Sequence, residues 1–315
     1  MRMVTLTPRL AEQAAMLAYS AYARERRVVT CLPPRPAWPE LGEAACLELG
    51  VAALEQNRLV GFMCAAAPAE RVFGSTHARG VFVPMGCHGS NVADAEQRQR
   101  IYAAMYTAAA RLWVRAGAVS HAIALYAHDE ALQRLFFRYG FGMRTVDAMQ
   151  AIEEVPDGPL PLGFSFRELS CCEINLVEPL HRLLYQHFLC SPFFMKRDVP
   201  ELAAVSEGSR YFVAEQSGKV VSYIKLAAEG ETFIARRAHA YWHIDGACTF
   251  EDYRGQGIGS ALLSYVLHVL RTEGTTRAGV DFESINPVAA RFWQHYFTPY
   301  TCGVVRRIDE RIVEA

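Results

Sequence analysis

The chain has no block of clustered lysine and arginine: 32 basic residues stand against 33 acidic ones, for a formal net charge of −1. A nucleic-acid footprint shows as such a block, so nucleic acid is not an expected partner. Long apolar runs are missing too. No stretch approaches the roughly 18 apolar residues that a membrane helix needs, and the opening Met1-Arg2-Met3-Val4-Thr5-Leu6-Thr7-Pro8 has no continuous apolar region of the kind an export signal carries. A cytoplasmic protein with no membrane partner is expected. The nine cysteines include no Cys-x-x-Cys, and the adjacent Cys171-Cys172 is a poor staple. They read as reduced, mostly buried thiols, and no metal is expected. A Gly-Lys-Ser/Thr nucleotide loop is also absent.

Enough apolar residue is present to build two cores: 51% of 315 residues is hydrophobic, and the length suits two domains of ordinary size. The most informative stretch is Tyr253-Arg254-Gly255-Gln256-Gly257-Ile258-Gly259, which joins a strand-like run, Tyr241 to Phe250, to a helix-like run, Ser260 to Arg271. Glycines there let the backbone take positive φ and approach a ligand closely. The first turn of the following helix offers unpaired N–H groups and a partial positive charge. A diphosphate suits that place. A dinucleotide fold would space its glycines as G-x-G-x-x-G, with an acidic residue about 20 positions on, and these glycines are not so spaced.

Arg-x-x-Gly-x-Gly in this setting resembles the acetyl-CoA pyrophosphate loop of the GNAT acetyltransferase superfamily. A second match follows in the right order. Ala278-Gly279-Val280-Asp281-Phe282-Glu283 reads as a strand, and Asn286-Pro287-Val288-Ala289-Ala290-Arg291-Phe292-Trp293 is similar to the later GNAT element Asn-x-x-Ala-x-x-Phe-Tyr at a helix start. The expected fold is mixed α/β, with two tandem GNAT-like domains, each a mostly antiparallel sheet flanked by helices.

The tandem arrangement comes from an internal echo. Val51 to Phe62 parallels Tyr211 to Tyr223, each a strand, a polar turn and a strand, and Leu135 to Phe141 parallels Phe292 to Phe297 at nearly the same separation. Between the halves, Val155-Pro156-Asp157-Gly158-Pro159-Leu160-Pro161-Leu162-Gly163 would break either periodicity. The domains are therefore expected at 1–155 and 164–315. The second opens with a strand, Phe164 to Leu169, and one helix from about Glu173 to Phe188, with Ile174, Val177, Leu180 and Leu184 as its apolar stripe. In the first, Gly86-Cys87-His88-Gly89-Ser90-Asn91-Val92 stands where the phosphate loop would be, without a leading arginine and followed by Asp94 and Glu96. That domain reads as degenerate for acetyl-CoA. Cys87 beside His88 is no nucleophilic pair, because catalytic Cys and His meet in space rather than in sequence.

The resemblance implies acetyl-CoA as co-substrate. It places the pyrophosphate on Arg254, Gly255, Gln256, Gly257, Ile258, Gly259 and Ser260, the pantetheine beside Cys248, Thr249 and Phe250, and further contacts at Asn286 and Trp293. A strand N–H near Cys248 to Phe250 would face the thioester oxygen. The acceptor amine must lose a proton before it attacks, and the residues leave four groups for that task, in the order Glu283, Asp245, Asp281, His243. Period-two alternation sets His243, Asp245 and Ala247 on one face of their strand. The family's reprotonating tyrosine falls at Trp293, whose indole cannot serve, and Tyr296 one turn on is the substitute. Asn286 also suits a helix N-cap ahead of Pro287. Two functions follow: N-acetylation of a small-molecule or peptide amine, or a non-catalytic acetyl-CoA-binding regulator. The acceptor, the acyl length and the oligomeric state, including a homodimer, stay open. The segment Ser191 to Asp198 hints at an apolar-walled acceptor pocket and no more.

Overall fold

Two hairpins with the same turn chemistry mark the repeat. Strands β2 (Cys46–Glu55) and β3 (Arg58–Ala65) are joined through Gln56 and Asn57, at φ 48° and 60°. Strands β9 (Ser209–Gln216) and β10 (Lys219–Ala227) are joined through Ser217 and Gly218, at φ 50° and 78°. Two-residue hairpin loops with both φ positive match the twist of the strands they connect, and Asn and Gly tolerate that region best.

The computed structural model describes residues 1–43, 46–72, 77–154, 161–197, 199, 201–202, 208–230, 232 and 234–314. Most of the expected linker, 155–160, lies outside the described residues, as does Asp198. Two compact units emerge. The first is Met1–Asp147 with Thr232–Ile234 and Pro299–Ala315; the second is Ala148–Glu231 with Ala235–Thr298. They cut the chain differently from the sequence reading, because the residues from Pro299 on pack with the first unit.

In the first unit β1 (Arg2–Thr5), β2, β3 and β5 (His88–Ser90) form an antiparallel sheet in that order. Strand β4 (Gly80–Val83) runs parallel to β6 (Ser120–Tyr126), and β13 (Thr298–Arg307) is antiparallel to β6. Helices α1 (Ala11–Arg26), α2 (Ala95–Arg115) and α3 (Glu130–Arg138) bury Tyr22, Tyr102, Tyr106, Trp113 and Phe136. The unit boundary falls inside β7 (Gly142–Ala151), between Asp147 and Ala148.

In the second unit β8 (Ser165–Glu168), β9, β10 and β11 (Tyr241–Thr249) are antiparallel neighbours, and β12 (Arg277–Glu283) joins β11 in parallel. Helices α4 (Glu178–His187), α5 (Ile258–Thr272) and α6 (Pro287–Tyr296) complete it. The single helix expected from Glu173 is instead a 3₁₀ segment, Cys171–Val177, followed by α4. Pro179 explains the break: it has no N–H to give to a carbonyl one turn back, so it sits in the first turn of a new helix.

All nine cysteines are free, but only Cys64, Cys87 and Cys302 are buried, whereas Cys171, Cys172 and Cys190 are exposed. The expectation of mostly buried thiols is corrected accordingly. Among the described residues no helix is long and apolar enough to cross a membrane.

Candidate active site

The sequence makes β11 long and then forces it to change partners. From Tyr241 to Ile244 it pairs with β12, ending at Ile244 opposite Val280. Beyond that point the two strands part. On its other edge β11 stays with β10 to Thr249, but the register slips: Lys225 faces Gly246 and Leu226 faces Ile244, so Asp245 has no partner. This is a β-bulge, which bends the strand. Strict alternation therefore does not run through Asp245, and the face assignment drawn from it holds only on either side of the bulge.

At the end of β11 lies a cavity of about 490 Å³, walled by β10, the last residues of β11, the glycine loop, α4 and α6. Of the twelve residues expected to hold the co-substrate, ten line it: Cys248, Thr249, Arg254, Gly255, Gly257, Ile258, Gly259, Ser260, Asn286 and Trp293. Phe250 and Gln256 do not. Phe250 lies instead under the ammonium of Lys219, 5.1 Å from its ring centre, and Gln256 donates to the Asp252 carbonyl at 2.6 Å. The Phe250 N–H donates to Val221 O at 3.1 Å, back into the sheet. Amides two residues apart point the same way in a strand, so the amides of Thr249 and Ala247 are the ones that face the open side.

The glycine loop leaves the start of α5 vacant of its own side chains. Gly257 is the N-cap at φ 79°, Gly255 has φ 72°, no side chain caps the helix, and its first turn carries no acidic residue. Its leading N–H groups thus meet no internal anion. A Cβ on Gly259 would meet Phe292 at 3.7 Å and Thr249 Oγ1 at 3.9 Å, ordinary contact distances on the cavity wall. The helix is held by an apolar face that includes Ile258, Leu262, Val266 and Leu270. Arg254 Nε donates to Thr249 O at 3.0 Å, tying the loop to the end of β11. Asn286 caps α6, its Oδ1 accepting from Ala289 N at 3.1 Å, with Pro287 next in line.

The expected catalytic groups are placed less simply. Glu283 is buried and ion-paired with Arg197, brought from the segment after α4. Arg197 also lies over the Phe188 ring at 4.8 Å. Asp245 is ion-paired with Lys225 at 2.5 Å. Tyr296 packs on Phe292 and His295, with ring centres 5.3 and 4.7 Å apart, and none of Tyr296, Glu283, Asp245, Asp281 and His243 is a lining residue of the cavity. Trp293 does line it and is 7% exposed.

Leu183, His187 and Ile224 line the cavity without having been named from the sequence, and Ser222 and Tyr223 were read only as part of the hairpin. His187 was within reach of the helical pattern, since it stands one turn past Leu184 on the apolar stripe of α4. Burial, with a further contribution from Arg254, pulls its pKa below the usual imidazole value. The Cys248 thiol is pushed up by burial to about 11, only partly offset by Arg254, so it stays protonated near neutral pH. Tyr223 lies opposite Cys248 and is pushed up by burial. Among the described residues, no group of three His, Cys, Asp or Glu is placed to hold a metal ion.

Residues 178–297 match the acetyltransferase (GNAT) family. Among solved structures, a GCN5-related N-acetyltransferase from Sphaerobacter thermophilus shares the fold with TM-score 0.58 and 13% identity, over 97% of this chain and 95% of that one. A tandem GNAT protein from the clavulanic acid biosynthesis pathway matches with TM-score 0.50 and 16% identity, over 97% and 98% of the two chains. No curated protein matches the sequence.

Proposed function

We propose that the GNAT-family domain in this chain transfers an acetyl group from acetyl-CoA to an amine on a small molecule or peptide, with its active site in residues 164–315 and a degenerate partner domain in 1–155. The observation that carries the reading is the cavity itself. It joins the uncapped, glycine-led start of α5 to the end of β11 at Ala247 to Thr249, so one ligand with a diphosphate at one end and a reactive group at the other would occupy both.

On this reading, Gly255 to Ser260 bind the pyrophosphate through backbone N–H groups, with Arg254 adding charge. The pantetheine lies along Cys248 and Thr249 as an added strand would. The amide of Thr249 or Ala247 stabilises the oxygen that gains charge as the amine attacks. Glu283 and Asp245, the first candidates for proton acceptor, are each held in an ion pair and lie outside the cavity lining. The indole of Trp293 cannot act as an acid, and a thiol of ordinary pKa near 8.5 leaves tolerably as thiolate and takes its proton from water. A second reading, an acetyl-CoA-binding regulator without turnover, is favoured by the tryptophan at the acid position and by the degenerate first half.

Titration calorimetry with acetyl-CoA on the wild type and on Gly257→Val/Gly259→Val tests the site. Binding to the wild type, lost by at least about 100-fold in the variant, is expected, since Gly257 needs φ 79° and a valine side chain at position 259 would fill the wall beside Phe292. Equal binding by both proteins would refute the loop assignment.

A further inference from the structure

The cavity at the end of β11 has no carboxylate in its wall: among the described residues that line it there is neither Asp nor Glu. Its polar lining is hydroxyl, amide, thiol, the guanidinium of Arg254 and one imidazole, that of His187. Of that set, only an imidazole has a lone pair basic enough to take a proton from an ammonium near neutral pH. The carboxylates drawn from the sequence, and His243 with them, lie outside the lining.

Helix α4 brings His187 to the cavity on the same stripe as Leu183 and Leu184. Leu184 shows where that stripe lies: its Cδ2 stands 3.9 Å from the place a Cβ on Gly246 would take, directly before Ala247. His187 follows one turn on, as the last residue of the helix. Its ring packs on Phe193 and Phe188, with ring centres 4.7 and 6.1 Å away, and both phenylalanines are buried. The chain turns back to supply Phe193: Phe193 N donates to Cys190 O at 2.9 Å and Met195 N to Phe188 O at 2.7 Å. The imidazole itself is half-buried, and neither ring nitrogen has a hydrogen-bond partner among the described residues. His243 and His88, by contrast, use both nitrogens inside the protein.

We propose that His187 is the base that takes the acceptor's proton. The proposal rests on the acetyl-transfer reading and deepens it. Burial first, and Arg254 second, keep the imidazole below its usual pKa, so the ring is neutral and able to accept near neutral pH. In the reaction, the acceptor's ammonium gives one proton to a ring nitrogen of His187, and the freed lone pair forms the C–N bond to the acetyl carbon. The C–S bond breaks with its electron pair on sulfur. The second nitrogen proton reaches that thiolate through water, and His187 returns the first to solvent. The titratable and charged groups around the imidazole come from each element packed near it. Arg254, tied to Thr249 O at 3.0 Å, and Tyr253 belong to the loop, and Cys248 to β11. Tyr223 on β10 is paired with His181 of α4 at 3.5 Å, and Arg197 lies over Phe188.

The test is acetyl-CoA-dependent release of coenzyme A by the full chain over a panel of primary amines (putrescine, glucosamine, glycinamide and a tripeptide), from acid to alkaline pH. His187→Gln is expected to lose about 100-fold or more in kcat, with acetyl-CoA affinity by calorimetry unchanged as the check on folding. The acid limb of the wild-type kcat profile, set by the imidazole, is expected to disappear in the variant. Its rate should instead keep climbing with pH as the amine loses its proton to solvent, whereas a merely structural role would lower the rate and keep the profile. Near-wild-type kcat in His187→Gln, or an acid limb that stays in place, would overturn the base assignment while leaving the transfer reading intact. Acetyl-CoA affinity lost in step with kcat would make His187 a part of the wall only, and would overturn the assignment too. A wild type that binds acetyl-CoA yet releases no coenzyme A with any amine would overturn the transfer reading, and the base with it.

Discussion

The two units place a strand, a turn and a helix at corresponding points in the chain and put them to opposite uses. In the second unit β11 runs past its one-residue bulge to a loop of glycines, and α5 begins with no anion of its own. In the first unit the corresponding strand is broken: Ala66 N donates to Phe82 O and Cys64 N to Cys87 O, with Pro84 to Gly86 looping out between the end of β4 and β5. Gly86 then packs on Trp38 and Gly89 on the α1 backbone, where a Cβ would lie 2.7 Å from Leu17. Helix α2 is capped by its own Asp94, which accepts from Gln97 N at 2.7 Å, and Arg98 binds the carbonyls of Val92 and Ala93. A helix start is left open to a ligand only where the chain does not satisfy it with its own groups. His88, buried with both ring nitrogens bonded to Tyr102 and Ala124 O, belongs to this filled core and not to any nucleophilic pair with Cys87.

Matched substitutions can break the contrast. Gly89→Ala is expected to destabilise the first unit by about 1–3 kcal/mol, because the backbone of α1 has to give way, with acetyl-CoA affinity unchanged. Gly259→Ala meets only ordinary contacts and is expected to leave stability alone while weakening acetyl-CoA binding. Urea unfolding and calorimetry on both proteins decide it, and loss of binding in Gly89→Ala would erase the distinction. A smaller effect is expected for Asp94→Ala, about 1 kcal/mol from the lost cap, again without effect on acetyl-CoA.

A further expectation concerns acid. Burial lowers the pKa of His88 and of His121 to about 4 in the folded chain, below the ordinary value near 6.5. The unfolded chain therefore binds more protons between these values, so their contribution to stability is complete above about 6.5 and is lost as pH falls towards 4. Glu25, whose carboxyl burial pushes up, titrates the other way and offsets part of this. The urea midpoint is expected to fall on acidification through that window, and by less in His88→Asn.

The fold was legible where a local rule decided it. Polar turn residues gave both hairpins, the glycine loop gave the start of α5, and Asn286-Pro287 gave that of α6. Most of the residues that line the cavity were legible for the same reason, since those from Cys248 to Ser260 are nearly contiguous in sequence. What the sequence hid is set by distant pairing. Arg197 reaches Glu283 across 86 residues, and His243 reaches Asp281 across 38. No periodicity announces such partners, and the one-residue slip at Asp245 spoiled the alternation used to assign faces.

The return of β13 to the first unit bears on how the chain is made. Strand β6 hydrogen-bonds to β13 from Ser120 opposite Arg307 to Tyr126 opposite Thr301. During synthesis that edge has no partner until the ribosome has passed residue 307, by which time all of the second unit has been translated. The unit begun first is thus completed last, and a nascent chain must keep an open strand edge from pairing elsewhere throughout.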